Sequence, residues 1–104
     1  MSALGDKRKK FSKMLGLLLH YADYLGFEYS LEQSKRCEDC PVGHPRSTHK
    51  VGLAQDINIF WPDGSLSNGD YGHNQLHDFW DFLGGAKRID NDMNHYSIAH
   101  NGVR

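Results

Sequence analysis

The chain has 104 residues, 38% hydrophobic and 24% charged, which suffices for one compact domain over residues 1–104 and is too little for two separate cores. Its formal net charge of −1 excludes the broad basic surface of a nucleic-acid binder. The one sustained apolar run, MLGLLL at 14–19, is far short of a bilayer span and has no small-residue cleavage site, so neither membrane insertion nor a secretory signal is expected.

In chain order, the first predicted element is an amphipathic helix over residues 8–26. Phe11, Leu15, Leu18, Leu19 and Leu25 recur at spacings that make one core-facing stripe, and Gly26 is placed to cap the C-terminus. The basic run DKRKK at 6–10 reads as the solvated start of this helix. Tyr29 to Arg46 is charged and punctuated by Pro41, Gly43 and Pro45, which reads as a loop or a short helix followed by a loop.

From Leu53 to Phe60 the residues alternate. Leu53, Ile57 and Ile59 fall on one face of a strand, and Ala54, Asp56, Asn58 and Phe60 on the other. WPDGSLSNGDYG, from residue 61, is turn chemistry with a tight reversal at Asp63-Gly64. A second helix is predicted over 73–83 with Leu76, Phe79, Trp80 and Leu83 as its apolar face, and NHYSIAH at 94–100 reads as a last strand. Helices flanking a small sheet make the class α+β.

Two cysteines, Cys37 and Cys40, are too few for a disulfide scaffold and read as reduced thiols in a loop, with a local disulfide or half a structural zinc site as alternatives. Seven histidines are many for this length. His20, His44 and His100 have plain solvent or partly buried readings. His73 and His77 stand four apart on the second helix, a zinc-binding spacing, but the zincin motif needs a glutamate after the first histidine and Asn74 stands there. This pair is therefore expected at the surface.

His49, Asp56 and His95 differ in that their donor types, number and placement suit one metal. A catalytic zinc uses three nitrogen or oxygen ligands and keeps a fourth position open. His49 precedes the predicted strand, Asp56 lies on its polar face, and His95 opens the last strand. Asp92, three residues before His95, fits either a proton-transferring base or an ordinary turn aspartate, and spacing alone favours the turn.

STHKVGLAQD at 47–56 followed by DMNH at 92–95 resembles the paired signature of the zinc D-alanyl-D-alanine carboxypeptidase and L-alanyl-D-glutamate endopeptidase family. The similarity runs from about Ser47 to the C-terminus and includes INIFWPDGSL, LHDFWDFLGG and NHYSIAHNGVR, in the manner of its phage endolysin branch. The resemblance implies a small antiparallel sheet flanked by helices, of the kind shared with the hedgehog signalling domain. It implies one zinc per chain on His49, Asp56 and His95, with Asp92 as general base and Ser47 holding the ligand loop. The family's upstream arginine, which steadies substrate or oxyanion, corresponds to Arg36, with Arg46 as the alternative.

On this reading the chain is a monomeric peptidase that cuts an amide bond in the stem peptide of peptidoglycan. It is made in the cytoplasm without a signal peptide and acts at the cell wall after release. Trp61, Phe60 and Tyr96 are expected to line the groove or belong to the core, and Gly52 and Ala54 to let backbone and substrate approach the metal. Two other classes compete: a non-catalytic zinc-stabilised binding module of the same fold, and a zinc knuckle on Cys37, Cys40, His44 and His49. The knuckle leaves Asp56 and Asp92 without a role.

Overall fold

The computed structural model describes residues 3–32, 52–67, 70–89 and 92–99. Five elements follow in order: α1 (Ala3–Leu25), β1 (Glu28–Glu32), β2 (Ala54–Phe60), α2 (Asp70–Leu83) and β3 (His95–Ser97). The strands form one antiparallel sheet in the order β1-β2-β3. The α+β class follows directly, and the core lies where both helices meet one face of the sheet.

Helix α1 is rich in strong helix formers, and its buried stripe is Phe11, Met14, Leu18 and Ala22, spaced by three and four. It begins earlier than the sequence pattern suggests, so that Lys9 and Lys10 lie exposed on its first turns. Gly26 ends it at φ +89°, with Phe27 N–H donating to the Ala22 carbonyl and Gly26 N–H to that of Asp23, each at 3.0 Å. This is a Schellman cap, which only a residue comfortable at positive φ completes without strain. Helix α2 ends in the same way, Gly85 donating to Trp80 and Gly84 to Asp81.

Strand β1 corrects the loop reading of this segment. Tyr29 pairs with Ile59 and Leu31 with Ile57, while Glu28, Ser30 and Glu32 alternate with them. The period of two was present in FEYSLE, but the charge of the following residues masked it. Such a polar-faced strand suits a sheet edge.

Leu53, Ile57 and Ile59 point into the core, joined from β3 by Tyr96 and from α2 by Leu76 and Trp80, all at most 1% exposed. Trp80 meets the Phe11 ring edge-on at 5.8 Å, and its indole N–H donates to the Ser97 carbonyl at 2.8 Å. The α2 helix approaches closely because Gly72 has no side chain: a Cβ there would stand 2.6 Å from the end of Ile59. After β2 the chain reverses at Asp63-Gly64 as the turn chemistry predicts. Asp63 accepts from the Ser65 N–H and hydroxyl, and Leu66 bridges back to Phe60. No helix among the described residues is long and apolar enough to cross a membrane.

Candidate metal centre

The polar face of β2 looks away from the helices. Alternation puts Asp56 on it, out of phase with Leu53, Ile57 and Ile59, which face the core. Antiparallel register then sets Asp56 directly opposite His95, the first residue of β3. The two residues are thirty-nine positions apart in sequence and side by side in space.

His95 Nδ1 lies 3.5 Å from Asp56 Oδ1, with side chains 7% and 19% exposed. A charge-assisted hydrogen bond between the two groups would bring them to about 2.8 Å. Two donors on one tetrahedral ion, each about 2.0–2.1 Å from it, stand about 3.3 Å apart. The observed separation is nearer the second value, and an imidazole nitrogen beside a carboxylate oxygen is a zinc-type donor set. The pair therefore fits two ligands of one ion.

Asp92 occupies the turn that feeds β3. The His95 N–H donates to the Asp92 carbonyl at 3.1 Å, and the Asp92 N–H to that of Ile89 at 3.0 Å. The Asp-x-x-His spacing is thus a β-turn, which holds its first and last Cα within about 7 Å. Both readings of Asp92 share this geometry: it is a turn aspartate, and it is brought beside the candidate ligand.

His49, Ser47, Arg46 and Arg36 lie outside the described residues, as do Cys37, Cys40, His44 and His100. Among the described residues no group of three metal-ligating side chains occurs. Gly52 has φ +75° at the entry to β2, so a left-handed backbone requires glycine there, a more direct reason than substrate access.

Of the two sequence readings of Tyr96, groove-lining near-site residue or core, the structure shows the core. Successive strand residues face opposite ways, so with His95 on the polar face, Tyr96 enters the core. It is wholly buried, its hydroxyl 2.7 Å from His73 Nδ1, and burial raises its pKa. Trp61, 36% exposed, stays at the surface and stacks toward Tyr71.

His73 and His77 correct the surface reading too, being 7% and 0% exposed. They complete the buried stripe of α2 at 73, 76, 77 and 80. His77 Nε2 lies 2.7 Å from the Met93 carbonyl, inside the Asp92–His95 turn, and its ring stacks on Tyr96 at 4.1 Å. Burial pushes its pKa down to about 4, against the opposing pull of the Met93 bond and with help from Arg88 and His73. Arg88 reaches back to Asn74, Asp78 and Asp81, fastening the α2–β3 connection to the helix. The signal for the two histidines was their helical phase, which residue type obscured.

No protein-family model, curated protein or solved structure matches this chain.

Proposed function

We propose that the chain is a zinc-dependent peptidoglycan peptidase that hydrolyses an amide bond of the cell-wall stem peptide, with the hedgehog and D-alanyl-D-alanine peptidase fold. The observation that carries this reading is the cross-strand pair of Asp56 and His95, whose donor atoms stand 3.5 Å apart on the sheet face opposite the core. The turn that sets Asp92 immediately before His95 supports it, as does the sequence signature around His49.

His49, Asp56 and His95 would hold the ion. Zinc, when bound, supplies a positive centre that polarises the scissile carbonyl and acidifies water. Asp92 takes the proton of the attacking water and returns it to the leaving amine, the work of a general base that turns acid. Arg36, or Arg46 in its place, balances the charge that develops on the substrate oxygen. Ser47 steadies the segment carrying His49. The chain acts as a monomer, made in the cytoplasm and reaching the wall after release, in the manner of a phage or prophage lysis enzyme.

The test is mass spectrometry of purified peptidoglycan after incubation with the zinc-loaded protein, beside an Asp92→Ala variant. New peptide termini with the unaltered protein alone are expected, and their masses identify the bond cut, L-Ala-D-Glu or D-Ala-D-Ala. Unchanged stem peptides with zinc bound and the fold intact overturn the peptidase reading in favour of a binding module.

A further inference from the structure

His77 is an unusual occupant of the innermost position of α2. Fully buried, it stands where leucine or phenylalanine would complete the stripe with no polar atoms to satisfy. A carbonyl only accepts, so the 2.7 Å contact with Met93 places a proton on Nε2, and burial keeps the ring neutral. Nδ1 is then an acceptor, and it is buried with no hydrogen-bond partner among the described residues. An unsatisfied buried acceptor costs about 1–3 kcal/mol, so packing alone does not account for histidine here.

What the ring does is hold one carbonyl. Met93 lies between Asp92 and His95, inside the turn closed by the His95 N–H to Asp92 carbonyl bond. The ring itself has no freedom: it lies 12° from parallel with Tyr96, whose hydroxyl is held by His73. Arg88 fastens the same connection nearer its start, through Asp78 at 2.6 Å and Asp81 at 3.2 Å. The turn is thereby tied to a helix that is itself clamped to the sheet by the Trp80 to Ser97 bond.

We infer that His77 is a positioning residue for the candidate site: its Nε2–H bond to the Met93 carbonyl sets the turn that carries Asp92 and His95. Its meaning for catalysis rests on the peptidase reading; its meaning for the turn does not. A preorganised site needs such support, because a base displaced by about 1 Å loses much of its effect.

Two variants separate the hydrogen bond from the ring. His77→Phe keeps an aromatic ring against Tyr96 and removes the donor, whereas His77→Gln removes the ring and offers an amide N–H at a similar reach. Amide hydrogen exchange by NMR on the metal-free protein reads the turn through the His95 N–H, with Leu18 and Ala22 on the buried stripe of α1 as core controls. His77→Phe should lower protection at His95 at least about tenfold more than in the core, with His77→Gln retaining it. With zinc bound, His77→Phe should lower kcat about tenfold while KM changes less than about twofold, and His77→Gln should recover most of the loss.

Unchanged His95 protection and turnover in a folded His77→Phe protein overturns the inference. If that variant does not fold, a folded His77→Gln protein decides: native protection at His95 supports the inference and lost protection overturns it. Failure of both to fold makes His77 a packing residue and overturns it too. If the unaltered protein cuts no stem peptide, the peptidase reading fails, and protection at His95 still decides the role of His77.

Discussion

The two faces of β2 are built on opposite rules, although they alternate along the same seven residues. Toward the helices, Ile57 and Ile59 are almost wholly buried in a core shared with α1, α2 and β3, where many contacts each contribute a little. Away from them, Asp56 is set by strand register opposite His95. Loss on the first face is graded and appears as stability. Loss on the second should be abrupt and appear as function, with the fold left standing.

The largest expected effect tests that division directly. On the proposed peptidase function, Asp56→Asn should reduce peptidoglycan hydrolysis by about three orders of magnitude or more and remove most bound zinc, measured by turnover and by metal analysis. Its thermal midpoint without metal should shift by no more than a few degrees. A large loss of stability in the metal-free variant would place Asp56 among the residues that hold the fold and erase the contrast.

On the core face, Trp80→Ala should cost about 3–5 kcal/mol in denaturant unfolding, because it removes a large buried ring and one of the two donors to the Ser97 carbonyl. A cost below about 1 kcal/mol would show that α2 does not hold β3. Acid should act between these faces through His77. Its pKa is about 4 when folded against the ordinary 6.5 of a free imidazole, so the unfolded chain binds more protons between those limits. The stability is present above pH 6.5 and is lost as the pH falls toward 4, by about 2 kcal/mol between pH 7 and pH 5. His77→Phe should flatten that part of the profile, as read by urea unfolding at each pH.

The smallest effect sharpens the packing side alone. Gly72→Ala puts a methyl group 2.6 Å from the end of Ile59 and 3.0 Å from the Phe27 ring, and should destabilise by about 1–2 kcal/mol. A neutral result by chemical denaturation would mean that Ile59 turns aside freely and that helix and sheet are less closely fitted there.

The sequence made most of the core face legible because apolar residues announce their own phase. Both helices, the Gly26 cap and the inward side of β2 follow from spacing, although the α1 stripe centres on Met14 and Ala22 beside Phe11 and Leu18, with Leu15, Leu19 and Leu25 only partly buried. Strand β1 escaped because alternation in FEYSLE is carried by only three apolar residues, and the glutamates between them belong equally to loops. His73 and His77 escaped for a related reason: their phase was that of a core stripe, but histidine is ordinarily read as polar. Tyr96 was open between groove and core, and alternation beside His95 puts it on the inward face. On the site face, periodicity placed Asp56 on the polar side, but its neighbour across the sheet was a matter of register, which no local pattern encodes.

Strand β3 spans only three residues, and its Ser97 carbonyl accepts both the Trp80 indole N–H and the Ala86 amide. So short a strand borrows its persistence from α2 and the segment behind it. When that attachment breathes, His95 leaves Asp56 while α1 and the rest of the sheet remain in place, a partial opening that costs less than unfolding the chain. A preparation can therefore give a native helical spectrum and a sharp melting curve while a fraction of its molecules lack the paired donors. The quantity that governs readiness for a ligand is the closing equilibrium of this three-residue strand, and ligand affinity should weaken in proportion to the fraction that is open.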